Sequence, residues 1–205
     1  IFLTTINSLI TKTAPSNFYK KKFISLTNKT EYSLNKLTDF LINTGYKRVQ
    51  TVRELGEFSL RGSILDVFPI GYSKAFRIDF FGETIETIKV MDPLTQRSST
   101  QVENINIYSS NEYLLSEENI ENFRKKFRSL DGNQSIKNSI YEKVSSGIKF
   151  NGIEHFLPLL HKDPLDSIFD FLPKDQEITF LLTKNFFKLI EERELEIKHF
   201  SEERE

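Results

Sequence analysis

The stretch GEFSLRGSILDVFPIGYSKAFRIDFFGETIETIKVMDPLTQRSS, residues 56–99, decides the fold. Apolar and polar residues alternate along it. Phe58 and Leu60 stand against Ser59 and Arg61, Ile78 and Phe80 against Arg77 and Asp79, Ile88 and Val90 against Thr87 and Lys89. Successive strand side chains point to opposite faces, so a period of two marks strands with one buried face. Gly62, Pro69, Gly71, Gly82 and Pro93 interrupt the runs where turns belong. Residues 46–108 therefore read as a meander of short antiparallel strands with Phe58, Leu60, Ile78 and Phe80 turned inward. Ser59, Arg61, Arg77, Asp79 and Phe81 fall on the outer face.

Upstream of the meander the period changes. Leu34, Leu37, Phe40 and Leu41 recur at spacings of three and four, which is one face of a helix. Thr30 or Ser33 can cap its start, and Gly45 stands where a left-handed C′ residue belongs. One helix followed by several strands gives an α/β (α+β) fold class, with the antiparallel-sheet module over residues 26–109. Residues 1–5 read as a buried strand followed by a helix to Ile10, and residues 13–22 as a loop broken by Pro15. Downstream, Ser116 caps a helix carrying Ile120, Phe123 and Phe127, and a shorter helix falls over 135–146. Gly152–His155 begins a turn, 178–182 reads as a strand, and 185–200 as a charged amphipathic helix. Residues 1–25 and 110–205 then flank the central module as parts of other subdomains.

Composition limits the functions open to the chain. Lys+Arg is 28 and Asp+Glu 29, a formal net charge of −1, so no global positive field draws nucleic acid. There is no cysteine, which excludes disulfides, thiolate metal sites and thiol catalysis. No apolar run reaches the roughly 20 residues that span a bilayer. The chain opens at Ile1 and reads as a piece of a longer cytoplasmic protein. It has no G-x-x-x-x-G-K-[ST], G-x-G-x-x-G or G-x-S-x-G motif. His155, His161 and His199 lack metal-ligand spacing. Asp163, Asp166 and Asp170 read as loop and cap carboxylates rather than a chelate, and Glu202, Glu203 and Glu205 as a solvated helix end. No catalytic constellation, cofactor site or metal site emerges.

What does emerge is the outer face of the meander. Strand parity sets Phe81 beside Arg77, next to Gly82. An exposed aromatic flanked by arginines is the composition of a protein-binding hot spot. Gly62 and Gly82 would support it by allowing tight turns and close backbone approach. Other readings stand at this point. Phe81 can curl into the core at a bulge, and Arg77 can pair with Asp79 or Glu83. Arg61, Arg77 and Arg97 can contact phosphate, although Asp66, Asp79, Glu83 and Glu86 oppose that field.

The same residues carry a resemblance. Glu54–Pro69, Arg77–Ile88 and Asp92–Ser98 are similar to the second domain of the UvrB family. Gln96-Arg97-Ser98, where the excision-repair helicase subunit typically continues with Gly, is similar to the transcription-repair coupling branch. So are Gly152–Leu159 and Ser167–Pro173. Glu177–Thr183 stands where that helicase subunit carries its acidic box, without the acidic pair. The resemblance implies a degenerate, non-hydrolysing helicase-like surround for the central module. It implies that Arg61, Arg77 and Phe81 bind UvrA, the damage sensor of nucleotide excision repair, and that Arg77→Ala weakens this binding without unfolding the module. RNA polymerase, double-stranded DNA, ATP and Mg are implied only for other parts of the parent protein. The alternatives are a fragment of a true UvrB-type helicase, with its P-loop upstream, and a nucleic-acid-binding domain.

Overall fold

The computed structural model describes residues 4–131, 139–175, 177, 179 and 182–202. In chain order the elements begin with α1 (Ile6–Ile10), α2 (Ser16–Lys21), β1 (Phe23–Thr27), α3 (Leu34–Asn43), β2 (Lys47–Arg48), β3 (Glu57–Arg61) and β4 (Ile64–Val67). There follow β5 (Ala75–Phe81), β6 (Thr84–Met91), β7 (Ser98–Val102), β8 (Asn104–Tyr108), α4 (Glu117–Asp131), α5 (Ser139–Ser145), α6 (Leu157–Leu160) and α7 (Phe186–Glu202). They fall into two units, Ala14–Leu165 and the pair of segments Ile1–Thr13 with Asp166–Glu205.

In the larger unit the alternating stretch forms a six-stranded sheet of order β2-β3-β4-β5-β6-β7. Its pairings are antiparallel except at one edge, where Lys47 and Arg48 of β2 run parallel to Glu57 and Phe58 of β3. A separate antiparallel ribbon joins β1 to β8. Leu37 and Leu41 of α3, Leu26 of β1 and Ile105 and Ile107 of β8 form one core with Phe58, Leu65, Ile78, Phe80, Ile85 and Ile88 of the sheet. Burying these side chains out of water is the dominant favourable contribution to the fold. Tyr46 is buried with them and donates its hydroxyl to the Tyr108 carbonyl at 2.9 Å. Burial pushes its pKa up to about 12. Phe123, Phe127, Tyr141, Val144, Ile153 and Leu160 make a second core among α4, α5 and α6.

The inward parity of Phe58, Ile78 and Phe80 holds, with all three buried. Along β6 the period breaks, because Ile85 and Ile88, three apart, are both buried. The register explains it. Asp79 faces Thr87 while Phe80 faces Ile85, so Glu86 is the extra residue of a β-bulge and the alternation resets across it.

Several expectations are corrected. Ser59, read as outward, is buried, and its Oγ donates to the Gln50 carbonyl at 3.0 Å. The cause is a cover on that face: Val52, Ala75 and Met91 form a small cluster with Val49 and Phe68. Residues 16–21, read as loop, form α2. Pro15 sits at its N-cap, where a fixed φ and a missing N–H are no handicap. Thr4 and Thr5, read as strand, are exposed, and Thr5 caps α1 by accepting from the Ser8 N–H. Residues 1–3 lie outside those described, as do 132–138 within the expected helix over 135–146, of which Ser139–Ser145 is seen. The strand expected over 178–182 falls on a stretch of which residues 178, 180 and 181 also lie outside.

In the smaller unit Thr13 and Asp166 exchange backbone hydrogen bonds of 2.9 and 3.1 Å. Ser167 and Asp170 form a capping box on a 3₁₀ turn, Ile168–Phe171. The Asp170 carboxylate is held below its usual range by the Ser167 backbone N–H and hydroxyl that donate to it.

Candidate functional site

Two tight hairpins aim the site residues. Arg61 pairs with Ile64 and Phe81 with Thr84, leaving two-residue loops, Gly62-Ser63 and Gly82-Glu83. Both glycines have φ near +61°, and the residues after them do not have positive φ, the pattern of a II′ turn. A Cβ at either glycine would meet nothing within 4 Å. The need for glycine there is therefore backbone conformation and not close approach. The second hairpin is further tied down from the side: the N–H groups of Lys29 and Tyr32 donate to the carbonyls of Ile85 and Glu83 at 2.7 Å.

Phe81 ends β5 at this hairpin and is 78% exposed, so it does not curl into the core. Arg77 lies four residues earlier on the same face, about 13 Å away at strand rise. The register sets Arg77 directly across from Asp66 of β4, and Asp66 across from Ser59 of β3. Asp66 is 1% exposed and accepts from two arginines. Arg77 donates Nε to its Oδ1 at 2.7 Å and Nη2 to its Oδ2 at 2.9 Å, a bidentate fork. Arg61 donates Nη2 to the same Oδ2. Arg77 also reaches Ser98 Oγ at 3.4 Å and Met91 sulfur at 3.4 Å. The Asp66 hydrogen bonds raise the Arg77 pKa above its ordinary value, which keeps the guanidinium charged at any working pH.

The carboxylate bound by Arg77 is thus Asp66, rather than Asp79 or Glu83. Asp79 serves a second small network, accepting from Thr87 Oγ1 at 2.7 Å and pairing with Lys89 at 3.6 Å. Arg77→Ala is expected to lower stability as well as to weaken binding, because that change leaves a buried carboxylate with one partner fewer. Asp66 is the residue that sequence reasoning undervalued. The signal was present in the loop length: a two-residue turn at Gly62-Ser63 fixes the opposite pairs, and counting outward brings Ser59 opposite Asp66. Arg97 is exposed on the β6–β7 loop, beyond the Asp92 turn, and joins neither network.

In that loop the Asp92 carboxylate accepts from the N–H groups of Leu94 and Thr95. Gln96 adopts φ +60°, a conformation that favours glycine, and its Nε2 donates to the Val52 carbonyl at 2.8 Å. The histidines are structural or exposed. His161 is buried, with Nε2 2.7 Å from the Glu112 carbonyl, and burial lowers its pKa. Among the described residues no cluster of His, Asp and Glu is arranged to hold a metal ion, and no helix is long and apolar enough to cross a membrane. A shallow cavity of about 360 Å³ in the smaller unit is lined by Asn7, Ser8, Thr11, Thr13, Ile168 and Phe171, with no group for acid–base chemistry.

The fold is thus a mixed α+β module with one exposed aromatic and a buried arginine–carboxylate cluster on its outer sheet face. Residues 24–113 match the family described as the UvrB interaction domain. The chain is 32% identical to the transcription-repair-coupling factor of Haemophilus influenzae over 85% of its length, and 31% identical to that of Escherichia coli over 84%. It is 32% identical to that of Rickettsia prowazekii over 97%. Residues 24–113 thus belong to the UvrB interaction domain family, and the chain is similar over most of its length to the transcription-repair-coupling factors. It spans only 15% of the first two relatives and 18% of the third.

Proposed function

We propose that the chain is a recruitment module that docks UvrA and brings it to stalled transcription complexes for nucleotide excision repair. The observation that carries this reading is Phe81, 78% exposed at a rigid hairpin tip on the face that also holds Arg61, Arg77 and Asp66. A large aromatic held in water is an interface anchor in waiting, and aromatic and arginine side chains carry most interface energy. Phe81 enters an apolar pocket of UvrA while the guanidinium cluster meets acidic groups there. The module itself takes no cofactor and works in the cytoplasm. RNA polymerase, double-stranded DNA, ATP and Mg belong to parts of the longer parent protein.

Calorimetric titration of the chain with UvrA tests this. The wild type binds, and Phe81→Ala loses about 2 kcal/mol or more, roughly thirtyfold in affinity. Its melting curve stays where it was, because the ring removed is mostly in water. A folded wild type that does not bind, or a Phe81→Ala variant that binds equally well, overturns the reading.

A further inference from the structure

The two arginines of the site are not equivalent. Arg77 is 20% exposed and spends its donors inside the chain, on both Asp66 oxygens, Ser98 and Met91. Arg61 is 49% exposed and spends one N–H on Asp66. A guanidinium carries five N–H groups, so most of those on Arg61 have no partner among the described residues. Asp66 is 1% exposed and stands between the two.

We infer that Asp66 is a positioning residue: it clamps Arg61 by one nitrogen so that the rest of the guanidinium faces outward, preformed for a carboxylate of the partner. Arg77 is the brace that fixes Asp66, and Arg61 makes the contact. An unclamped arginine loses rotamer freedom when it binds, which weakens the contact. A clamped one has lost most of that freedom already. The fork of Arg61 can hold Asp66 with one arm and an incoming carboxylate with the other, whereas a lysine ammonium is a point charge that must choose. The inference rests on the proposed UvrA docking for its partner, but not for its geometry.

The test has two arms. NMR of the Arg61 guanidinium nitrogens reads the clamp directly, in the chain alone. Slow rotation in the wild type that becomes fast in Asp66→Asn is expected, and fast rotation in the wild type overturns the inference whatever UvrA does. Titration with UvrA then compares wild type, Asp66→Asn, Arg61→Lys, Arg61→Ala and the double variant Asp66→Asn/Arg61→Ala. Asp66→Asn and Arg61→Lys each weaken binding by about tenfold, the scale of one charge-assisted hydrogen bond. Adding Asp66→Asn to Arg61→Ala costs less than about twofold more, because Asp66 acts through Arg61. Equal losses from Asp66→Asn in both backgrounds would mean a merely structural carboxylate and would overturn the inference. Should Asp66→Asn fail to fold, Arg61→Lys decides, since its half-exposed position at a strand end leaves the core untouched; full binding by that variant is the overturning result. If the wild type shows slow Arg61 rotation but no UvrA binding, the clamp stands and the docking proposal alone fails.

Discussion

Removing the Arg77 side chain should destabilise the larger unit, and the structure gives the size. Arg77→Ala deletes two charge-assisted hydrogen bonds to a carboxylate that is 1% exposed, together with the weaker contacts to Ser98 and Met91. Breaking a buried ion pair from one side costs about 3–5 kcal/mol, because the orphaned charge stays desolvated. Two features reduce that figure here. Arg61 keeps its bond to Oδ2, and the 20% exposure of Arg77 admits water once the side chain is gone. The expected loss is about 2–3 kcal/mol, which lowers the melting temperature of a unit of this size by roughly 5–10 °C. Urea unfolding of wild type, Arg77→Ala, Asp66→Ala and the double variant measures it. The double variant should be less destabilised than the sum of the singles by about 1 kcal/mol or more, since removing both partners leaves no buried charge. A loss below about 0.5 kcal/mol in Arg77→Ala, or strictly additive losses, would refute the buried-pair account.

Other outcomes follow from separate features. Gly82→Ala should cost about 1–2 kcal/mol through its positive φ alone, as read by thermal melting, because the space beside the glycine is open and adds no clash. Phe123→Ala should cost about 3–5 kcal/mol in urea unfolding, since the ring is fully buried among Phe127, Tyr141 and Phe156. Burial lowers the His161 pKa, so the unfolded chain binds that proton more readily than the folded one. Stability should therefore decline as pH falls below the ordinary value of 6.5, and His161→Gln should flatten that part of the pH–stability curve.

The sequence by itself determined the element types of the central module. Its period-two runs and the spacing of Leu34, Leu37 and Leu41 reflect side-chain direction, a property local to each strand and helix. It also placed Phe81 and Arg77 on one outer face, because parity along a single strand needs no knowledge of neighbours. The limits of that reasoning are equally physical. Ile85 and Ile88 share a face only because a bulge at Glu86 resets the parity, and a bulge is defined by the partner strand. Parity points Ser59 outward, and nothing local announces that residues 49–53 fold back over it. Asp66 resembled a stray acid that cancelled the field of its neighbours. Only the pairing of β3, β4 and β5 showed it buried between Arg61 and Arg77, because whether two charges oppose or hold one another depends on a distance, and that distance is set by tertiary register.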